Sequence, residues 1–453
     1  MNWKLLWKSI MENQNAMFSR LYYTNRTKKI TLYSKISPLG DPGTSVVPEL
    51  ENWARNGNKV GVGELQRILR DLRKRKRFSQ ALEVSDWMNT SGICIFSPTE
   101  QAVHLDLIGR VNGYVSAEHY FNGLRERDKI DKTYGALLNC YVRQRQTDKA
   151  ISLFQKMKQI GFASSPLIYN DIMCLYAKLG EHEKVLHMLT EMKDNGVSPD
   201  NFSYRICINS YGATCDLKGM QQVLNEMECQ PNIVMDWNTY AVAANVFIKA
   251  GLPDKAFDAL KKSEGRLSKK DGTGYNHLIS LYATLGSKSE VMRLWDLEKN
   301  DCKRCINRDY INILESLVKL GELEEAEKIL KEWESSGNCY DVRIPNIILT
   351  GYIGKGFYEQ AEALLKELID RGKFTTSNSW GLVAARYLDL GNNAKAFNCM
   401  KIALSLNVEN KGWKPNPRMI AGILEWLGNR GDAEDTEGFV ALLRSVMSMN
   451  REM

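Results

Sequence analysis

Histidine and cysteine are the side chains of this sequence best suited to catalysis or metal binding. The chain has 5 His and 10 Cys among its 453 residues. His182 and His187 are five residues apart, which places them on different faces of a helix. Cys302 and Cys305 form a lone CxxC, whereas a structural zinc site needs four ligands. We therefore expect a protein that is not an enzyme, with no metal, no cofactor and no small-molecule substrate.

A second group of residues carries positive charge at a regular spacing. These cations occupy the thirteenth place of a repeat of about 35 residues, and they are Lys74, Arg143, Lys178, Lys249 and Lys319. Cations repeated along one edge would form an electrostatic track for a phosphate backbone. The alternative is that each one only complements the negative end of its helix, worth about 0.3–1 kcal/mol.

A denser basic patch lies in the stretch RILRDLRKRKRF, from Arg67 to Phe78, where seven cations accompany Asp71. A patch of this kind could dock RNA, including ribosomal RNA. It could equally be the solvated face of a helix and the turn that follows it.

An internal repeat positions these residues. The stretches IYNDIMCLYAKLGEHEKVLHMLTEMKDNGVSPD and GYNHLISLYATLGSKSEVMRLWDLEKN share one pattern, and the Gly that ends the first helix recurs every 35 residues at Gly251, Gly286, Gly321, Gly356 and Gly391. Apolar residues seven apart lie on one face of that helix, and a small residue in the second helix allows close packing. Such a hairpin must stack on its neighbours to bury its apolar faces. The sequence thus predicts an all-α fold, a right-handed α-solenoid superhelix of helix-turn-helix repeats.

The repeat pattern also predicts the domain organisation. Residues 62–416 form ten repeats, after a lead-in at 41–61 and before a partial repeat and C-terminal cap at 417–453. The predicted repeats are 62–97, 98–130, 131–165, 166–200, 201–236, 237–271, 272–306, 307–341, 342–376 and 377–416. Residues 1–40 hold seven Lys and Arg against one Glu and supply six of the seven net positive charges. Their amphipathic, acid-poor pattern predicts a mitochondrial transit peptide and a matrix location; a basic tail or a chloroplast address is the alternative. No apolar run reaches the ~18 residues that a membrane span needs.

The 35-residue period, the openings IYN and GYN, and the ending GVSPD at Asp200 resemble the pentatricopeptide repeat. The resemblance covers residues 62 to about 450. The segment ELQRILRDLRKRKRFSQALEVSDWM is similar to the N-terminal repeat of plant organellar members with only plain repeats, the P-class. The resemblance implies binding of single-stranded RNA in an organelle, with an effect on transcript stability, processing or translation.

The resemblance also implies which residues read RNA bases. In the family, the fifth and last residues of a repeat contact the base edge, and the second residues of neighbouring repeats enclose the base. The polar candidates at the fifth and last places are Gln66, Asn170, Asp200, Arg205, Asp236, Asn276, Asn346 and Thr376. Of these, Asn170 with Asp200 is the standard pair, and it resembles the uridine-reading type. Arg205 and Asp236 could instead form an ion pair across the repeat boundary.

Other fifth places argue for a different function. Ala102, Gly135, Ala241, Ile311 and Gly381 have no side chain that can hydrogen-bond a base. This composition, and the small net charge of the chain beyond residue 40, favour a protein-interaction scaffold such as a component attached to the mitochondrial ribosome. A subunit that recruits a separate enzyme is a third hypothesis.

Overall fold

The computed structural model describes residues 31–40, 43–230, 233–407, 413–431 and 433–449. These residues form two compact units, one ending at Leu252 and the other beginning at Pro253. Within each unit, consecutive helices pack in pairs, and the first helix of a pair also contacts the first helix of the next pair. The predicted all-α class and the α-solenoid arrangement of hairpins are confirmed.

Short loops separate the helices of both units. The helices of the first unit are α1 Leu32–Ile36, α2 Val47–Arg55, α3 Val62–Lys74, α4 Phe78–Thr90, α5 Pro98–Val111, α6 Tyr114–Gly123, α7 Asp131–Arg143, α8 Thr147–Gln159, α9 Pro166–Leu179, α10 His182–Asp194, α11 Asn201–Ala213, α12 Leu217–Cys229 and α13 Trp237–Lys249. Those of the second unit are α14 Pro253–Glu264, α15 Gly272–Thr284, α16 Lys288–Asp301, α17 Asn307–Leu320, α18 Leu323–Ser335, α19 Arg343–Lys355, α20 Tyr358–Asp370, α21 Ser377–Asp389, α22 Asn393–Asn407, α23 Pro417–Arg430 and α24 Ala433–Met449. The first helix of each predicted repeat begins at its predicted first residue, except α19, which begins one residue later.

In several repeats, the last residue caps the first helix of the next repeat with its side chain. Asp200 accepts a hydrogen bond from the backbone N–H of Ser203, and Asp236 accepts one from that of Thr239. Ser97, Asp271 and Thr376 act in the same way. A side-chain cap of this kind typically stabilises a helix by about 1 kcal/mol. The last place therefore has a structural role that does not depend on RNA.

In several repeats, one residue of the turn after the first helix takes the left-handed backbone conformation. Gly180 and Gly321 do so at φ angles of 78° and 81°. Arg145 and Cys215, which stand where the repeat has Gly, adopt the same conformation at φ angles of 54° and 58°. A side chain with a Cβ is strained there, whereas Gly is not.

Cys215→Gly and Arg145→Gly are each expected to stabilise the protein by about 0.5–1 kcal/mol, because relief of backbone strain exceeds the entropy that Gly adds to the unfolded chain. Urea unfolding of each variant beside the parent measures this. Ala213→Gly, which adds the same entropy inside α11, should destabilise the protein. Equal losses in all three variants would contradict the strain argument.

Two contacts recur between the helices. The small residue predicted in the second helix is fully buried at Ala81, Ala117, Ala150, Ala256, Ala326, Ala361 and Ala396. In several repeats, the Tyr at the eleventh place donates its hydroxyl to a Glu in the second helix of the preceding repeat, as in Tyr141 to Glu118 and Tyr387 to Glu362, both at 2.7 Å. These partly buried hydrogen bonds help to fix how one hairpin stacks on the next.

The segment just before the lead-in packs against the first repeat. Leu32 and Ile36 are buried. The Arg77 guanidinium donates to the backbone carbonyls of Ile36 at 3.2 Å and Ser37 at 3.0 Å, and also to that of Leu39. The predicted transit peptide stays a prediction, since residues 1–30 lie outside the described residues. A cut within SRLYYT, at residues 19–24, would leave this packed segment on the mature protein.

In the ranges that the structure describes, no helix combines the length and the apolar character that crossing a bilayer requires.

Candidate nucleic-acid interface

Asn170 and Asp200 meet at the start of α9 and α11. Asn170 is 2% exposed, and its Nδ2 donates a hydrogen bond of 3.1 Å to Asp200 Oδ1. Because an ionised carboxylate only accepts, the amide must turn its NH₂ group towards Asp200. Oδ1 of Asn170 is then left without a hydrogen-bond partner in the described residues. One N–H and one carbonyl oxygen of the amide therefore lack a partner, and because the oxygen is buried, a ligand can reach it only when the side chains that cover it move.

The carboxylate of Asp200 is fixed in its charged form. Burial acts to raise its pKa, but hydrogen bonds from Ser203 and Asn170 outweigh burial and hold the pKa of Asp200 below its ordinary value. Oδ1 accepts from Ser203 N at 2.8 Å and from Ser203 Oγ at 2.9 Å. Asp200 therefore caps α11 and orients Asn170 at the same time.

Two exposed apolar side chains occupy the second places on either side of this pair. Leu167, in the first turn of α9, is 64% exposed, and Phe202, in the first turn of α11, is 45% exposed. The Arg205 guanidinium lies 5.8 Å from the centroid of the Phe202 ring. Leu167 and Phe202 were not among the predicted site residues, although the second place of a repeat, which encloses the base in the family, was a signal that could have found them.

Arg205 and Asp236 form the ion pair that was the alternative to base reading. Arg205 Nη1 lies 2.8 Å from Asp236 Oδ2. Burial acts to raise the pKa of Asp236, but hydrogen bonds from Thr239 and the charge of Arg205 hold it below its ordinary value. Both side chains are thus explained by contacts within the protein.

Gln66 and Asn276 each bond to the third residue of the next first helix. Gln66 Nε2 donates to Glu100 Oε1 at 2.7 Å. Asn276 is buried, and its Nδ2 donates to Asp309 Oδ1 and to the carbonyl of Gly272, both at 2.7 Å. Since both amide hydrogens of Asn276 are used, its side chain can offer a base only an acceptor.

Asn346 has the opposite orientation. Its Oδ1 accepts a hydrogen bond of 2.8 Å from Ser379 Oγ, and Ser379 Oγ lies 2.6 Å from Thr376 Oγ1. The NH₂ group of Asn346 therefore remains as the donor that a ligand could meet. Asn170, Asn276 and Asn346 share one place in the repeat but offer three different hydrogen-bonding patterns.

The cations at the thirteenth place differ in availability. Lys74, Lys178 and Lys249 are exposed, and no ion pair involves them among the described residues. Lys319 is exposed and donates to Thr284 Oγ1 at 2.8 Å. Arg143 is half-buried, and its Nη2 lies 3.3 Å from Asp106 Oδ1. The four lysines can meet a phosphate backbone, whereas Arg143 already has a carboxylate beside it.

The basic patch at Arg67–Phe78 divides into structural and free cations. Arg73 pairs with Asp106 at 3.2 Å, Arg75 pairs with Asp71 at 2.8 Å, and Arg77 holds the segment before the lead-in. The cations of this patch that are exposed and form no ion pair with any described residue are Arg67, Arg70, Lys74 and Lys76. Fewer cations are free for RNA than the sequence implied.

Ser85, His104 and Asp86 lie in the order of an acyl-transfer triad, a constellation that sequence spacing did not reveal. Ser85 Oγ is 2.8 Å from His104 Nδ1, and His104 Nε2 is 3.5 Å from Asp86 Oδ1. Ser85 and His104 are both buried, and the His104 ring packs edge-on against Tyr120. Burial lowers the pKa of His104 to about 4. No substrate can reach this serine, so the network is part of the core.

His104 is expected to make the protein acid-sensitive. Its pKa in the folded protein is about 4, below the ordinary value of 6.5. A neutral buried histidine contributes stability that is complete above pH 6.5 and is lost as the pH falls towards 4, by up to about 3 kcal/mol. Urea unfolding at stepped pH should show this loss in the parent and a shallower one in His104→Gln. Parallel curves would assign the acid sensitivity to other groups.

The positions of the His, Cys, Asp and Glu side chains decide whether they could bind a metal ion. Across the ranges that the structure describes, no group of three or more His, Cys, Asp and Glu side chains could hold a metal ion. Cys302 and Cys305 are half-buried free thiols, and burial raises the pKa of Cys305 to about 12. Neither thiol is poised for nucleophilic chemistry.

Comparisons with known proteins identify the repeat. The family profile "PPR repeat" matches residues 132–162, 310–338 and 344–372, and the "PPR repeat family" profile matches 164–213. A mitochondrial pentatricopeptide repeat-containing protein of Arabidopsis thaliana is 58% identical over 439 residues, which is 97% of this chain and 89% of the relative. The chain belongs to the pentatricopeptide repeat family.

Two further pentatricopeptide repeat proteins extend the comparison. The large ribosomal subunit protein mL101 of Arabidopsis thaliana is 32% identical over 91% of this chain and 84% of its own length. The crystal structure of the pentatricopeptide repeat protein PPR10, from maize, in complex with an 18-nt psaJ RNA element matches with a TM-score of 0.56 at 20% identity. That match covers 98% of this chain but 64% of PPR10, and it shows a common fold.

Proposed function

We propose that this pentatricopeptide repeat protein binds single-stranded RNA in a plant mitochondrion and reads a uridine with Asn170 and Asp200. It carries out no reaction on the RNA; by covering a stretch of transcript it affects RNA stability, processing or translation. The observation that carries the proposal is the Asn170 amide, whose buried carbonyl oxygen and second N–H have no partner among the described residues and lie beside the exposed side chains of Leu167 and Phe202.

The chemistry of a pyrimidine fits this arrangement. Uracil has an N3–H donor next to its O4 acceptor, and the free Oδ1 and the remaining Nδ2–H of Asn170 complement them. Cytosine also presents one donor beside one acceptor, so the preference for uridine comes from the resemblance to the uridine-reading type. Leu167 and Phe202 supply apolar and aromatic surfaces on which the base can pack. Their exposure in the free protein fits a surface that bound RNA covers.

The backbone of the RNA would meet the free lysines. Lys74, Lys178, Lys249 and Lys319 recur at one place of the repeat and are exposed. Each phosphate neutralised on a single strand contributes about 0.7 to the slope of log affinity against log salt, so four lysines predict a slope of magnitude roughly 3. Arg143 is left out of this set because Asp106 already neutralises part of its charge.

Relatives support the location and the ligand. The 58% identical relative is named as mitochondrial, and PPR10 was solved in complex with an RNA element. The amphipathic, acid-poor residues 1–40 support import into mitochondria, with the matrix as the destination.

Selection from a random single-stranded RNA pool with the full chain tests the proposal. We expect a short motif with uridine at one fixed position, and a salt slope near the value above. A pool that stays random, together with an affinity that does not change with salt, would reject RNA reading. Phe202→Ala should lower the affinity for the selected RNA without changing which base is preferred, because stacking is tolerant of sequence.

The second candidate function is attachment to the mitochondrial ribosome. The relationship to mL101 favours it, and so do the internal contacts of Gln66, Arg205 and Asn276, which leave little of those side chains for a base. Sedimentation of the tagged protein with salt-washed mitochondrial ribosomes would support this function, whereas sedimentation only with free transcripts would support the first.

A further inference from the structure

Asp106 is surrounded by arginines from three successive repeats. Arg73 on α3 approaches through Nη2 at 3.2 Å, Arg110 on α5 through Nε at 3.0 Å, and Arg143 on α7 through Nη2 at 3.3 Å. The side chains of these arginines are 35%, 29% and 24% exposed, so solvent reaches all of them. Arg110 was not among the cations that the sequence analysis selected, although it occupies the thirteenth place of its repeat.

One carboxylate cannot satisfy three guanidinium groups. Each arginine has five N–H donors, and each reaches Asp106 through a single nitrogen rather than through a paired fork. Nη2 of Arg143 is buried and makes no hydrogen bond with any described residue. Burial and the nearby charge of Arg110 hold the pKa of Arg143 below its ordinary value, although Asp106 partly opposes them. The cluster therefore keeps two uncompensated positive charges and several unused donors.

Neighbouring groups do not remove this imbalance. Asp171 bonds to Asn139, which donates from Nδ2 to Oδ1 at 3.0 Å, and burial raises the pKa of Asp171 to about 6. The charge of Lys178 acts to lower the pKa of Asp171. The negative charge of Asp171 is thus balanced by the positive charge of Lys178, and the net charge of the arginine cluster does not change.

We propose that Arg73, Arg110 and Arg143, organised by Asp106, bind the dianionic phosphate at the end of an RNA strand. A phosphomonoester carries about −1.5 to −2 charges at pH 7 and three acceptor oxygens, which matches the two surplus charges, whereas a backbone phosphodiester carries one. The inference rests on the proposed function, since it places a strand end at the repeats that contain α3, α5 and α7.

Fluorescence anisotropy with the full chain tests this site. The probes are one short oligouridine carrying a 5′-phosphate, a 3′-phosphate or only hydroxyl ends. We expect one phosphorylated form to bind about tenfold more tightly than the hydroxyl form. Arg110→Gln and Arg143→Gln should abolish that preference. Arg55→Gln, a matched change at an arginine whose one ion pair within the described part of the chain is with Glu51, should retain it.

A second variant distinguishes loss of the phosphate-binding arginines from loss of the folded structure. Asp106→Asn removes the only carboxylate from the cluster, so it should keep or strengthen the phosphate preference if the protein remains folded by circular dichroism. Equal binding of all three probes by the parent would overturn the proposal.

Inorganic phosphate separates the possible sources of the ligand. If it raises the melting temperature of the parent but not of Arg143→Gln, while the RNA probes bind equally, the dianion site stands and an RNA end is rejected as its ligand. Failure of the proposed function would be recognised differently, as absence of binding by the hydroxyl-ended probe.

Discussion

Asn170→Ala should weaken binding of the selected uridine-containing RNA about tenfold, or about 1–2 kcal/mol, and should remove the preference for uridine. The variant loses both the carbonyl oxygen and the N–H that the proposal assigns to the base, while Asp200 keeps its cap on α11 through Ser203. Competition between RNAs that differ only at the selected uridine measures the preference directly.

Asn139→Ala provides a matched control. Asn139 also lies on a first helix and also donates from its amide to an aspartate, Asp171, at 3.0 Å. It occupies the ninth place rather than the fifth, so it should change RNA binding little while perturbing a similar internal hydrogen bond. If both variants lowered affinity equally, the loss would reflect disturbed stacking of the repeats rather than base reading.

The other asparagines are expected to rank below Asn170. Asn276 uses both amide hydrogens internally, and Asn346 uses its carbonyl oxygen, so each can make only part of the contact that a uracil edge requires. We expect Asn276→Ala and Asn346→Ala to have smaller effects on RNA affinity than Asn170→Ala. Asn170, Asn276 and Asn346 occupy the same place of the repeat, but their side-chain hydrogen bonds leave different donors and acceptors for a base.

Glu298→Gln should stabilise the protein at pH 8 by at least ~1 kcal/mol. Glu298 on α16 is fully buried, and neither carboxylate oxygen has a hydrogen-bond partner in the described residues. Burial, and then the charge of Asp309, raise the pKa of Glu298 to about 8, with Arg308 opposing them. The nearby thiols Cys302 and Cys305 also have pKa values raised by burial and by Glu298.

The sign of the pH dependence follows from this shift. A carboxyl whose folded pKa of about 8 exceeds its ordinary 4.5 contributes its full stability below pH 4.5 and loses it as the pH rises through 8. Gln is neutral throughout, so Glu298→Gln should flatten the decline of unfolding free energy between the ordinary pKa of 4.5 and the folded pKa of about 8, above which the decline ends. Urea unfolding at stepped pH measures the slope.

Glu362→Gln is the control of opposite sign. Burial acts to raise the pKa of Glu362, but hydrogen bonds from Lys366 and Tyr387 hold it below its ordinary value, so its charged form is stabilising. The same Glu to Gln change should therefore destabilise the protein at pH 8. A loss of stability in both variants would mean that Glu298 is ionised and paired in the folded protein.

The sequence by itself determined the period and the helices. The first helices begin at the residues that the repeat predicted, because caps such as Asp200 and left-handed residues such as Gly180 act within a few residues of the chain. The pairing of Asn170 with Asp200 was also predictable, since it depends on the register of one repeat. The family resemblance rested on the same local signals and was confirmed by the relatives.

The tertiary structure decided what those side chains are free to do. Arg143 looked like one of a row of backbone contacts by its place in the repeat, but packing places it in a cluster with Arg73 and Arg110 around Asp106. Asn276 looked like a base reader, but Asp309 and Gly272 hold both of its amide hydrogens. The buried Ser85 and His104 network and the unpartnered Glu298 were likewise invisible in the sequence. These contacts depend on distances between stacked helices, which a one-dimensional period does not contain, so only packing could assign them.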